Sequence, residues 1–397
     1  MALIENEAVI VGLLLFFPAV AFWLTKKSKI AKMLSAPGLC YAFGIALSNL
    51  HIIPPDAPAL DSVSTYAIYL ALPMILLPVN IKRLRGWVKR GAKNALVSFA
   101  IACVTVFIIS VVSGVLLASK ADPEHGWKLT GMIIGTYTGG SMNLAAVGKA
   151  LEVPAALFVA VNAADIVLGS LFLPIQIAII PLLEKLGFKK LPEDVALGAY
   201  EDPEVIEKIK KEGYWYKKLW NFYDFTYIVG ISGLLMAIAY LISGIGIWGM
   251  WKGAVKILTL TTLALIVANF PKVSELVGAE EVAMYLLHVF FVAIGATAYI
   301  PTLMKAGLSV ILWVILAVYL SAAIHYFVVG KLLKIDYATM EVTAQAAIGG
   351  PSSALALALT ANWPGLGITA ILAGLLGYAV GNYLGVAGAY IVFKTLL

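Results

Sequence analysis

The sequence predicts an all-α integral membrane protein built from two inverted repeats. Three observations predict it: a composition too apolar for water, twelve apolar stretches of bilayer-crossing length, and motifs that recur in the same order in each half.

Of 397 residues, 61% are hydrophobic and 13% charged, with mean hydropathy +0.94. A soluble domain carries about 25% charged residues. So few charges cannot coat a water-soluble fold of this length, and lipid is the expected solvent. The net charge of +6 is spread through the gaps between apolar stretches. It is not gathered with aromatics on one face as a nucleic-acid surface would be. Cys40 and Cys103 sit in apolar runs and read as small buried hydrophobes. Glu5 and Glu7 stand where a cleavable leader would be basic, so the first apolar segment is expected to stay.

A crossing helix needs about 20 apolar residues. The stretches are Ala8–Leu24, Leu34–Leu50, Val63–Asn80, Ala95–Ala118, Met132–Val153 and Ala155–Leu183, then Tyr227–Ile245, Ala254–Phe270, Val282–Ile300, Val310–Val329, Val342–Ala361 and Gly365–Phe393. The chain divides into a first repeat, 1–184, a polar linker, 185–224, and a second repeat, 225–397. Ile45-Ala-Leu-Ser-Asn49 resembles Leu265-Ile-Val-Ala-Asn269, and Tyr66 and Tyr285 occupy like places in the segments that follow. Gly139-Gly140-Ser141 resembles Gly349-Gly350-Pro351-Ser352, and Pro154 and Pro364 each open a sixth segment. Several matches in one order point to duplication.

Charge sets the orientation. Lys26, Lys27, Lys29 and Lys32 follow the first segment; Lys82, Arg83, Arg85, Lys89, Arg90 and Lys93 follow the third. Short basic loops stay cytoplasmic, which puts the N-terminus outside. If every segment crossed, the basic linker and the Lys331–Lys334 loop would fall outside. If the fifth segment of each half re-enters instead, both fall inside and the second half is inverted. Lys252 and Lys256 are the exceptions, near the outer face. The Tyr214-Trp215-Tyr216-Lys217-Lys218 run with Trp220 reads as an interfacial anchor.

The fifth segments carry the candidate site. Gly135-Thr-Tyr-Thr-Gly-Gly-Ser-Met-Asn143 and Gln345-Ala-Ala-Ile-Gly-Gly-Pro-Ser-Ser353 are poor regular helix, and Pro351 disfavours helix at Gly350. Backbone groups bared at such breaks cost several kcal/mol each in hydrocarbon. Protein, water, an ion or a solute must meet them, with help from Thr138, Ser141 and Asn143. Half-helix N-termini favour an anionic group and free carbonyls a cation. Close helix packing is the alternative use of such glycines. In the sixth segment Asn162 and Asp165 share a helix face, and a carboxylate there costs roughly 2.5–3.5 kcal/mol. Asp165 is the most isolated acid in the apolar segments. It reads as a cation ligand or proton carrier, or else as a cap for a half-helix. Asn49 and Asn269 read as caps, His288 and His325 as satisfied buried histidines. Thr343 and Gln345 are placed to line a cavity, and Glu341 lies at the basic margin of its segment.

With those motifs, the sequence resembles the membrane family catalogued as domain of unknown function 819, over essentially the whole chain. That resemblance implies kinship with the cation:proton antiporter and anion transporter superfamily. It also implies a dimerising scaffold domain and a mobile core domain moving in an elevator-like way. By analogy with its 2-hydroxycarboxylate relatives, Gly139, Gly140, Ser141, Asn143, Gly349, Gly350, Ser352 and Ser353 would bind solute, with Asp165, Asn162 and Asn143 holding the cation. Pro351 departs from the relatives' pattern, and crossed unwound helices remain an alternative to hairpins.

The expectation is a multi-pass cell-membrane protein, a Na⁺- or H⁺-coupled carrier of a small organic solute, homodimeric, with no cofactor and no nucleic-acid partner. Its rivals are a cation/proton antiporter of the same fold, an intramembrane hydrolase using Ser141 or Ser352 with His288 or His325, a parallel transporter with every segment crossing, and a passive channel. No phosphate-cradling Gly-x-x-x-x-Gly-Lys-Ser/Thr loop is present.

Overall fold

Helices account for the folded elements of the computed structural model, which describes residues 2–198, 203–214, 218–297 and 300–397. In chain order they are α1 Glu7–Lys27, α2 Lys29–Asn49, α3 Pro58–Leu76, α4 Ile81–Trp87, α5 Lys93–Ala121, α6 Gly126–Gly139, α7 Ser141–Ala150, α8 Ala155–Ala164, α9 Ser170–Lys185, α10 Glu193–Leu197, α11 Pro203–Glu212, α12 Phe222–Ser243, α13 Lys252–Val267, α14 Pro271–Ser274, α15 Ala279–Ala296, α16 Ile300–Ile315, α17 Ser321–Tyr326, α18 Tyr337–Thr360 and α19 Gly367–Leu396. There is no strand among the described residues. Local chemistry sets several ends. The Asn6 side chain accepts from the amides of Ala8 and Val9 to start α1, and Asn221 and Asp224 form a reciprocal capping box on α12.

Among the described residues, ten helices are long and apolar enough to cross a membrane. That corrects the count of twelve crossing-length stretches, and the reason is local. The 132–153 stretch is broken at Gly140 into α6 and α7, too short singly to span. Helix α2 bends at Ser35, whose φ of 61° lies in the left-handed region. Helix α18 is long enough, yet Gly350 (φ 77°, ψ −175°) turns it back on itself.

The side contacts trace hairpins in both places. Gly135 packs on Val147 and Asn143, Gly131 on Leu151, and Lys128 Nζ donates to the Glu152 carbonyl at 3.1 Å. Residues 8 to 24 apart in sequence touch along the whole length, so α6 and α7 run antiparallel. In the second hairpin, the Tyr337 and Trp363 rings meet at 5.8 Å, so α18 begins and ends at one level.

The hairpins enter from opposite ends of the bundle. At the first hairpin's end, Lys149 pairs with Asp61 at 2.8 Å, and Lys256 lies 3.7 Å over the Tyr240 ring. At the second hairpin's end, Arg83 donates to Ser274, Lys218 pairs with Glu280 and Glu281, and Lys331 donates to Leu186. The basic loop after the third segment, the end of the linker and Lys331 therefore share one end, and Lys256 sits at the other, settled on aromatic faces.

Packing sorts the helices into two groups. One holds α1, α2, α3, α12, α13 and α15; the other holds α5, α6, α16, α17, α18 and α19, with α8 and α9 on its flank. Helix α5 turns Val104, Ile108, Val112 and Leu116 outward at a spacing of four, a stripe suited to lipid. The proposed aromatic anchor is corrected in part. Tyr214 donates to Glu280 at 3.0 Å and Trp220 packs over Gly278, so both fasten the linker to the start of α15. Trp215, Tyr216 and Lys217 lie outside the described residues.

Candidate functional site

The two hairpin tips meet. Gly140 (φ 90°, ψ −173°) and Gly350 adopt the same conformation, one essentially closed to residues with a Cβ. A methyl group placed on Gly140 would lie 3.7 Å from the Gly350 Cα. The helix starting at Ser141 has no side-chain cap, which leaves the first amides of its N-terminus without a side-chain acceptor. At the other tip Pro351 supplies no amide, which suits a helix start, and the Ser353 hydroxyl donates to the Gly350 carbonyl at 3.1 Å.

Helix α19 seats both tips through glycines. Pro351 lies against Gly374 and Gly139 against Gly377, where a Cβ would meet backbone. Asn143 Nδ2 donates to the Gly377 carbonyl at 3.0 Å, with Gly381 beneath the amide. Gly385 and Gly388 continue the contact toward Gly131 and Ile134.

The expected site residues divide accordingly. Gly139, Gly140, Ser141, Gly349, Gly350, Ser352 and Ser353 form the paired tips. The first tip is the drier: Gly139 and Gly140 are buried, whereas Gly349 is exposed and Ser352 and Ser353 half-exposed. Thr138 does not serve the unwound backbone, because its hydroxyl donates to the Ile134 carbonyl at 2.7 Å within α6. Asn143 spends its amide nitrogen on α19 while its Oδ1 has no partner; Gln345 faces Gly349, with Oε1 unpartnered.

Asp165 opens a π-helical turn, Asp165–Gly169, and is half-buried. Its Oδ1 lies beside Gly169, which also borders the Tyr137 ring. The buried Tyr137 hydroxyl is directed to the Asp165 carboxylate, and the buried Tyr41 hydroxyl, which has no hydrogen-bond partner, lies within electrostatic range of it. Asn162 Nδ2, one turn back, is likewise unpartnered. No basic side chain among the described residues is paired with Asp165. The carboxylate thus sits among dipoles rather than against a fixed cation.

A second acid was misplaced by the sequence reading. Glu341 is fully buried, not marginal, and accepts from Gln176 Nε2 (2.5 Å) and the Tyr326 hydroxyl (2.6 Å). It displaces Asp165 as the most secluded acid of the apolar segments. The histidines are each satisfied at one nitrogen only. His288 Nδ1 is bonded to the Met284 carbonyl and His325 Nε2 to Ser98, while His288 Nε2 and His325 Nδ1 have no partner. Asn49 and Asn269 do act at helix ends, donating to the carbonyls of Ile45 (2.9 Å) and Leu265 (2.7 Å), four residues back in each case. Thr343 turns to Ser98, its hydroxyl bonded to the Ser98 hydroxyl at 2.6 Å.

Two cavities lie where the packing groups face each other. One, about 540 Å³, runs from Arg83, Lys218 and Glu280 to Leu355 and Leu375. The other, about 560 Å³, is lined by Ser35, Glu281, His288 and Ser352. Glu281 belongs to both, so the second tip adjoins a partly polar space reached from the basic end of the bundle.

These features define a polytopic helical membrane protein with two helical hairpins whose tips meet. The model of the protein of unknown function DUF819 matches residues 12–395, and the chain belongs to that family. It is also similar to the "Uncharacterized membrane protein YjcL" of Bacillus subtilis (strain 168), 27% identical over 397 residues, with 96% of each chain covered.

Proposed function

We propose that this protein is an ion-coupled secondary transporter of a small organic solute, working by alternating access. The observation that carries the proposal is the meeting of Gly140 and Gly350, two glycine-only tips entering from opposite ends beside cavities at a packing boundary. Discontinuous helices with half-helix termini at mid-depth are how transporters hold cargo within a bilayer. On this reading the halves are inverted repeats, with the N-terminus outside and 185–224 cytoplasmic. The group holding α15 is the scaffold, the natural place for a homodimer contact, and the group holding the tips is the mobile core. Asp165 takes Na⁺ or H⁺, with Asn162 and the two tyrosines around it. Placement in the cation:proton antiporter and anion transporter superfamily, and the absence of enzymatic activity or cofactor, belong to the same proposal.

A hydrolase of the serine–histidine kind needs the serine within hydrogen-bond reach of the histidine. Ser352 and His288 share a cavity, but no hydrogen bond joins them, and His325 is committed to Ser98. The direct test is solute binding. Carboxylates, amino acids and short peptides are screened by thermal shift with and without Na⁺, and hits are followed by uptake into proteoliposomes. A ligand of the folded state raises the melting temperature by mass action. Saturable, ion-gradient-dependent uptake is expected; ungated, non-saturating flux would replace the carrier with a channel.

A further inference from the structure

Glu341 lies on the first arm of the second hairpin, nine positions before Gly350. Its surroundings are neutral. Gln176 reaches it from α9, donating to Oε2 and, at 3.0 Å, to the Glu341 carbonyl; Tyr326 reaches it from α17. His325, next to Tyr326, turns to Ser98 of α5, which bonds Thr343. Tyr378, the titratable group of α19 at this hairpin, stands by Gly350 at the tip. No ion pair among the described residues includes Glu341.

The hydrogen count is short. Glu341 Oε1 and Gln176 Oε1 are both fully enclosed and both lack a donor. An ionised carboxylate would leave a full charge and two bare acceptors in an apolar interior, a costly state. One proton on Oε1 removes the charge and converts a bare acceptor into a donor. A hydrogen-bonded carboxyl without a cation is the arrangement that stores a proton rather than a salt bridge.

We infer that Glu341, held by Gln176 and Tyr326, is a proton-binding site distinct from Asp165, carried on the hairpin that bears Gly350. The use of that proton, coupling hairpin movement to a proton gradient, rests on the transporter reading; the site itself does not. Loss of the proton would charge the hairpin arm and favour any arrangement that lets water reach it. Proton exchange and tip movement would thus be linked.

The test is infrared difference spectroscopy on the purified full-length protein between neutral and alkaline pH, which needs no solute. A protonated carboxyl band is expected at neutral pH that vanishes on alkalinisation. It should be lost in Glu341→Gln and kept in Asp165→Asn. The Gln variant keeps size and hydrogen-bonding capacity; circular dichroism and elution volume check its fold. Tyr326→Phe gives an independent reading. It removes a donor to the ionised form, so the band should persist to higher pH. A band unchanged in Glu341→Gln, or one that Na⁺ alone abolishes at constant pH, would overturn the inference. Failure here with intact ion-coupled uptake would leave the transporter reading standing; a titrating band without any uptake would do the reverse.

Discussion

Asn143 donates its amide to the Gly377 carbonyl at 3.0 Å, one turn of α19 from the glycine on which Pro351 rests. A single helix therefore registers both tips, and Gly374 and Gly377 meet Pro351 and Gly139 backbone to backbone. Gly377→Ala would place a methyl 2.6 Å from the Thr138 carbonyl oxygen, where nothing flexible can yield. Such overpacking costs about 1–3 kcal/mol. The expected result is a lower melting temperature in detergent and loss of uptake. Gly233→Ala on α12, with open space around it, should change neither.

Gly140 and Gly350 answer to conformation rather than space. A methyl at Gly140 meets nothing closer than 3.7 Å, yet its φ of 90° excludes side chains. Alanine at either position should cost about 1–3 kcal/mol through backbone strain alone. Thermal unfolding of both single variants measures this. Wild-type stability in either would mean that the tip does not hold this conformation.

Asp165→Asn should fold and insert normally, because the amide matches the carboxyl in size and no cation is left stranded by the change. Its uptake should no longer respond to Na⁺ or pH. Unchanged ion dependence would remove Asp165 from the coupling step.

Topology can be read by cysteine labelling of intact cells. Glu124→Cys should react with an impermeant reagent from outside and Lys208→Cys only after permeabilisation. Cys40 and Cys103 are buried, so the background should be low. Strong outside labelling at position 208 would invert the assignment.

What the sequence made legible was chiefly what a short window can encode. Two adjacent glycines weaken a helix locally, and the structure breaks at Gly140 and Gly350, the second of each pair. Charge predicts re-entry; the structure shows the fold-back itself, at Gly140 and Gly350. The remainder depends on partners far along the chain. Glu341 looked marginal because Asp336 and Lys334 are its neighbours in sequence, whereas its surroundings come from Gln176, 165 positions away, and Tyr326. The glycines of α19 recur at 374, 377, 381, 385 and 388, a visible stripe, but nothing local says that hairpins lie on it. Serine itself gives no signal for the bend at Ser35, since it seldom adopts a positive φ; the signal is the Pro37-Gly38 pair just beyond it.

The seating of both hairpins on α19 has a mechanical consequence. On the transporter reading, cargo clasped where Gly140 faces Gly350 would not leave by a spreading of the clasp, since spreading would peel Pro351 or Gly139 off their glycine bed. The softer seam is the cavity-flanked one between the helix groups, so the clasp and its bed should travel together, like a drawer sliding in its frame.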